Sequence, residues 1–240
     1  MDWFSEWFDS PYYHILYKNR DLKEAELFID NLTTHLNPSF NAPIIDIPCG
    51  KGRHCIYLNK KGFTVSGADL SPESIRYAKK FSNETLDFFT HDMREEFAEN
   101  KYSTVLNIFT SFGYFDDPMD NQRCIDSFTK ALLPDGTLVM DFMNIEKVVQ
   151  NLLPLEIKVI DGIEFELTKQ IQNNRIVKDI KFTDKGKNYH FQEKVSLLYK
   201  EDFLKYFNFA NLKIKNVFGD YQLNPFDEKR SDRLILIATK

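Results

Sequence analysis

Between residues 43 and 142, short apolar runs alternate with helical stretches, and this alternation restricts the possible folds more than any other feature. The runs are Pro43 to Ile47, Phe63 to Ala68, Leu86 to Phe89, Thr104 to Phe109 and Thr137 to Phe142. Strands of this kind, with little polar interleaving, are buried on both faces. Helices expected near 53–61, 72–81 and 119–133 supply the cover, which predicts a parallel sheet in an α/β fold. Ser71-Pro72 reads as an N-cap followed by a proline preset for the first helical turn. Pro134-Asp135-Gly136 reads as a turn between the last of these helices and the next strand.

After about residue 155 the period changes to two: Ile163, Phe165 and Leu167, then Ile180 and Phe182, then Tyr189, Phe191, Val195 and Leu197. Asp161-Gly162, Asn173-Asn174 and Lys185-Gly186 separate these runs with hairpin chemistry, so residues 156–199 are expected to form an antiparallel insertion. A helix over Glu201 to Phe209 and strands over Lys213 to Phe218 and Arg233 to Thr239 should follow. At the other end, Ser10-Pro11 opens one helix, and Asp21 with Glu24 forms a capping-box spacing ahead of Ala25, Phe28, Ile29 and Leu32. A length of 240 residues suits a single domain over residues 1–240, with a helical segment at 1–36.

The net charge of −5 comes without a basic block, which disfavours nucleic-acid and anionic membrane partners and favours a small molecule. No run approaches the ~18 apolar residues of a membrane span, and the acidic, aromatic start does not read as a signal peptide. Cys49, Cys55 and Cys124 are odd in number and lack metal spacing. They suit reduced thiols in the cytoplasm, with neither a disulfide framework nor a metal site.

Chemistry concentrates where the strands end. The first strand runs into Asp46-Ile47-Pro48-Cys49-Gly50-Lys51-Gly52 and then a helix, a turn that lets a ligand approach backbone N–H groups. A tight structural bend would look the same. The second strand ends in Gly67-Ala68-Asp69, with Asp69 about 20 residues past the glycines, where an acidic side chain meets a cofactor ribose. The other role for Asp69, a helix cap, is already filled by Ser71. A dinucleotide fingerprint would need glycine where Cys55 stands. The third strand ends in His91-Asp92-Met93, a carboxylate for an adenine amino group beside an apolar side chain for the ring.

With these residues the sequence resembles class I S-adenosylmethionine-dependent methyltransferases. Asp46 to Gly52 match the first motif of that class, Gly67-Ala68-Asp69-Leu70-Ser71 the second and His91-Asp92-Met93 the third. Leu106 to Tyr114 looks like the segment after strand four in small-molecule members, and Leu132-Leu133-Pro134-Asp135-Gly136 like their turn before strand five. Within the class, the aromatic N-terminus, Ser111-Phe112-Gly113-Tyr114 and the β insertion are similar to glycine-type N-methyltransferases and to many uncharacterised bacterial relatives. Pro48 stands where many members have glycine. The resemblance implies a Rossmann-like, doubly wound seven-stranded sheet with the antiparallel insertion after strand five.

It also implies S-adenosylmethionine as cofactor, with Asp46, Cys49, Gly50 and Gly52 near the methionine part, Asp69 on the ribose, and Asp92 with Met93 at adenine. Leu70 and Ile108 would pack around them, and Arg53 would reach the cofactor or a substrate carboxylate. Trp3, Phe4, Trp7, Phe8, Tyr12, Tyr13 and Tyr17 make the first residues densely aromatic. Most suit packing, while Tyr13, Tyr17 and Arg20 suit a lid over the sulfonium, which an aromatic face attracts.

No catalytic residue is singled out, because the cofactor carries the difficult chemistry. Tyr114 and Tyr221 are candidates to hold the acceptor, with Tyr13, Thr110 and Phe112 also on the substrate side; Asp220 suits a structural role. The expected activity is methyl transfer to N, O or S of a small molecule. A non-catalytic cofactor-binding module and a nicotinamide dehydrogenase are the alternatives. Exposed edge strands of the insertion offer a route to a homodimer.

Overall fold

The computed structural model describes residues 3–18 and 22–240. Arg20 and Asp21 lie outside them, as does the side chain of Trp3.

Helices α1 (Trp3–Phe8), α2 (Pro11–Leu16) and α3 (Leu22–Leu36) precede the α/β unit. That unit runs β1 (Ile44–Asp46), α4 (Arg53–Lys60), β2 (Val65–Asp69), α5 (Pro72–Ala78), β3 (Leu86–Thr90), β4 (Tyr102–Asn107), α6 (Pro118–Ala131) and β5 (Leu132–Met143). A short α7 (Ile145–Gln150), not anticipated from sequence, leads to β6 (Leu155–Ile160), β7 (Ile163–Gln172), β8 (Arg175–Asp184) and β9 (Lys187–Ser196). The chain closes with α8 (Lys200–Phe209), β10 (Lys213–Phe218) and β11 (Arg233–Thr239).

The main sheet has seven strands in the order β3-β2-β1-β4-β5-β11-β10. β1 to β5 pair in parallel, while β11 is antiparallel to both β5 and β10. Alternate residues serve opposite faces. Ile45, Val105, Leu138 and Leu236 pack toward Phe128 of α6 and Phe203 of α8. Ile44, Leu106, Val139 and Ile237 pack toward Phe28 of α3 and Leu58 of α4. Each such side chain contributes about 1.5–3 kcal/mol by leaving water, which explains why the runs carry so few polar residues. The order of strands reverses between β1 and β4, and at such a switch point the strand ends leave a crevice for a ligand.

One expected turn proves to be part of a strand. β5 begins at Leu132, directly after α6, and Pro134-Asp135-Gly136 forms an irregularity within it. Asp135 takes a positive φ of 60°, and a side chain on Gly136 would meet the Leu133 carbonyl oxygen at 2.8 Å. The β4 to β5 register slips at the same place, so the turn residues bend a strand that stays paired.

The insertion forms a separate four-stranded antiparallel sheet in the order β6-β7-β8-β9, close to the expected limits. Its three connections each place two residues at positive φ: Asp161 and Gly162, Asn173 and Asn174, Lys185 and Gly186. Such turns match the right-handed twist of the flanking strands. On one face Phe165, Leu167, Ile180 and Phe182 form a core with Trp7 of α1 and Leu16 of α2.

Candidate functional site

The C-terminal ends of β1, β2 and β4 converge on the glycine loop. Gly50 and Gly52 have φ of 56° and 80°, which lets the backbone turn tightly from β1 into α4. A side chain built at Gly50 would meet nothing within 4 Å, so the loop borders open space there. Behind the loop there is none. Gly67 lies against the buried Phe88 ring, and an added Cβ would stand 2.6 Å from it and 2.9 Å from Cys49 Sγ. Gly67→Ala is therefore expected to destabilise the fold by about 1–3 kcal/mol, seen as a lower urea midpoint with an unchanged slope.

Asp69 holds the loop. Its Oδ2 accepts from the Gly50 amide at 2.7 Å and its Oδ1 from the Ser71 amide at 2.8 Å. Burial pushes its carboxyl up to about 6, against the lowering effect of those two amides. Ser71 caps α5 through Ser74 N at 3.0 Å, as expected, and its hydroxyl bonds Asp9 next to α1. The N-terminal segment thus reaches the end of β2.

Asp46 ends β1 with its side chain wholly buried. Its Oδ2 lies 3.2 Å from His54 Nδ1 and accepts from Cys55 Sγ at 3.8 Å, while its Oδ1 has no partner among the described residues. Asn107, at the end of neighbouring β4, donates to the Ile47 carbonyl at 2.8 Å and likewise leaves its Oδ1 unpartnered. Two buried acceptors without a partner among the described residues thus lie at the strand switch point, and the Nε2 of His54 is a third unpartnered atom there. Burial lowers the His54 pKa despite the opposing Asp46 carboxylate, so its ring stays neutral at pH 7.

After β4 the chain turns through Phe109 and Thr110 at φ 61° and 57°, a left-handed pair without glycine. Such a conformation persists only where the surroundings over-determine it. Asp141 of β5 supplies the restraint: Oδ2 accepts from Phe109 N at 2.7 Å and from Tyr221 Oη at 3.2 Å, and its backbone carbonyl accepts from Thr110 N at 3.0 Å. Arg233 donates to Asp141 Oδ1 at 2.7 Å and to Thr110 Oγ1 at 2.9 Å. His54 stacks on the Phe109 ring at 4.8 Å, and the Arg53 guanidinium lies 4.3 Å from its centre.

Cys49 is buried in the loop with its amide on the Ala68 carbonyl at 2.8 Å, and burial pushes its thiol well up. Asp92 is gripped by the Arg94 guanidinium at 2.6 Å, while Met93 lies 3.6 Å from the Asn107 amide. Ile108 is buried in the core that also holds Cys49, and Leu70 is half-buried against the core on the other side of the sheet. Phe112, expected on the substrate side, is wholly buried against Phe203 and Tyr206 because the segment folds back onto α8. Tyr114 donates to the Thr110 carbonyl at 2.8 Å and packs edge-on to Phe8. The Tyr221 hydroxyl is spent on Asp141, and its ring lies between Phe28 and Phe109. Asp220 caps the amides of Gln222 and Asn224.

Tyr17 donates to Glu193 of β9 at 2.7 Å and Tyr13 packs on Trp7 and Phe8, so both belong to the seam between the first helices and the insertion. Glu193 also accepts from Trp7 Nε1 at 2.8 Å and pairs with Lys178 at 3.1 Å. Burial acts to raise its carboxyl, but Lys178 and the two aromatic donors outweigh it and hold it low. Asp141, Arg233, His54 and Asn107 escaped sequence reasoning; the only visible signals are charges interrupting or opening apolar strand runs at Asp141 and Arg233.

Sheet order and strand directions define the fold: a Rossmann-like α/β sheet shared with an S-adenosylmethionine-dependent methyltransferase of known structure. Residues 44–136 match the family model described as a methyltransferase domain, and the glycine loop, Asp69 and the segment after β4 all lie within the matched stretch. The chain is 32% identical over 110 residues to the putative methyltransferase YqeM of Bacillus subtilis, covering 45% of this chain and 44% of that protein. It is 27% identical to the dTDP-3-amino-3,6-dideoxy-alpha-D-glucopyranose N,N-dimethyltransferase of Streptomyces fradiae, over 42% of this chain and 39% of that one. It thus spans less than half the length of either curated relative. A crystal structure of an S-adenosylmethionine-dependent methyltransferase from Clostridium acetobutylicum superimposes with a TM-score of 0.80 over 95% of both chains, at 20% identity.

Proposed function

We propose that this chain transfers a methyl group from S-adenosylmethionine to N, O or S of a small molecule. The observation that carries the reading is the pair of unpartnered acceptors, Asp46 Oδ1 and Asn107 Oδ1, at the ends of β1 and β4 where the strand order reverses. The amino group of the cofactor's methionine part offers the donors they lack, and Asp69 keeps lone pairs for ribose hydroxyls. Met93 offers an apolar contact for adenine. Asp92 would meet the adenine amino group while still paired with Arg94.

When bound, the cofactor supplies an electrophilic methyl carbon. The chain then has to align an acceptor and exclude water. Thr110 and Tyr114 lie on the turn restrained by Asp141 and Arg233, which suits them to orient an acceptor, while Tyr221 acts from behind that turn. The named activity of the Streptomyces fradiae protein, on an amino sugar nucleotide, supports a small acceptor with a reactive nitrogen. The charge of −5 speaks against nucleic acid as acceptor. Among the described residues no helix is long and apolar enough to cross a membrane, and the three cysteines are unpaired, which supports a cytoplasmic setting. The helices, α/β unit and insertion act as one domain, and two copies joined through the insertion complete the reading.

Calorimetry with S-adenosylmethionine and its demethylated product tests the cofactor, and product formation across a panel of amines, phenols and thiols tests transfer. If neither cofactor form binds, the reading fails. A bound cofactor without turnover on any acceptor would favour a non-catalytic module. Ribose hydroxyls donating to Asp69 favour its ionised form, so affinity should fall as pH drops below about 6, by at most about tenfold per unit. Titrations between pH 5 and 8, as an assay range around that value, should show this inflection, and Asp69→Asn should remove it.

A further inference from the structure

The outer face of the four-stranded sheet obeys the rule for a solvated antiparallel face on three strands and breaks it on the fourth. β7 presents Glu164, Glu166 and Thr168 there, β8 presents Asp179, Lys181 and Thr183 with a single apolar residue, Val177, that is itself buried, and β9 presents Asn188, His190 and Gln192. On β6 the residues of the same face are Leu155, Ile157 and Val159, exposed by 55%, 58% and 68%. β6 is also an edge strand, paired with β7 on one side alone. Its register with β7 runs unbroken from Leu155 to Ile160, with neither bulge nor proline to blunt it. Edges of this kind are templates for another strand. Nothing within the described chain covers this one.

We propose that a second copy of this chain covers it, with the two β6 strands pairing antiparallel about a two-fold axis at Ile157. This deepens the dimer named above and does not depend on methyl transfer. The strand is complementary to itself in that register alone. Leu155 then faces the partner's Val159, Ile157 faces the partner's Ile157, and Glu156 faces the partner's Lys158. Directly opposed residues share a face, so six aliphatic side chains gather on the outer side and two opposite-charge pairs form on the inner side. Within each protomer Glu156 already lies 3.1 Å from Lys158 and 3.3 Å from Lys169, so the added pairs would extend a charge row. Two four-stranded sheets become one continuous sheet, and the only apolar row on the outer face becomes buried. A contact of this kind is isologous and closed, which limits assembly at two copies.

Light scattering on a size-exclusion column, with the full chain across micromolar concentrations, should give twice the 28.3 kDa of one chain. Ile157→Lys should give a monomer whose thermal melt and S-adenosylmethionine binding match the wild type. Lys158→Glu sets glutamate against glutamate at both pairs and should weaken the dimer roughly tenfold. The double variant Glu156→Lys with Lys158→Glu should restore it, which a contact of any other register would not do. A monomeric wild type, a dimeric Ile157→Lys or a double variant as weak as Lys158→Glu overturns the proposal. Loss of cofactor binding by the wild type would instead strike the methyl-transfer reading and leave the interface untouched.

Discussion

Replacing Asp69 by alanine is expected to weaken S-adenosylmethionine binding about a hundredfold, the ~3 kcal/mol that two hydrogen bonds to an ionised acceptor are worth. Two losses combine. On the proposed reading the ribose hydroxyls lose their acceptor, and the Gly50 and Ser71 amides lose theirs, so the loop no longer has a fixed shape to present. Asp69→Asn keeps a carbonyl oxygen for one amide and should fall between. Titration calorimetry at pH 7.5, where the wild-type carboxyl is ionised, separates the three proteins, given its pKa of about 6. Binding by the alanine variant within about threefold of wild type would remove Asp69 from the site.

The second large effect belongs to stability. Asp141→Ala leaves the Arg233 guanidinium in a largely buried position with its carboxylate gone, and removal of one partner from a buried pair costs about 3–5 kcal/mol. The Phe109 amide and the Tyr221 hydroxyl lose an acceptor in the same step. A fall in Tm of roughly 10 °C follows for a chain of this length. The double variant Asp141→Ala with Arg233→Met should recover part of the loss, because the unpaired charge is then absent. Additive single effects would show that the two residues do not act as a pair.

Sequence reasoning reached the architecture because period is a local property. Runs such as Thr104 to Phe109 and the alternation of Ile163, Phe165 and Leu167 announce their environments without reference to any partner. The places of the glycine loop and Asp69 at the ends of neighbouring strands were legible for a similar reason, since their separation along the chain reflects the helix and strand between them. Asp141 and Arg233 are 92 residues apart and meet only because β11 pairs with β5. Asn107 looks like any polar residue closing a strand, and its significance lies in an oxygen left without a partner. Phe112 misled in the opposite direction, because an aromatic next to a functional turn reads the same whether it faces the ligand or the core.

The first two helices have a consequence for how the molecule can open. Trp7 and Leu16 lie in the same core as Phe165, Ile180 and Phe182, and Trp7 and Tyr17 donate to Glu193 beside its Lys178 partner. Swinging these helices outward as a flap would wet that whole core and strip a buried carboxylate of two of its donors. They are therefore half of a wall, not a hinged cover. Proteolytic removal of residues 1–18 would leave the small sheet with a bare aromatic face, a product prone to clumping and not a shortened enzyme.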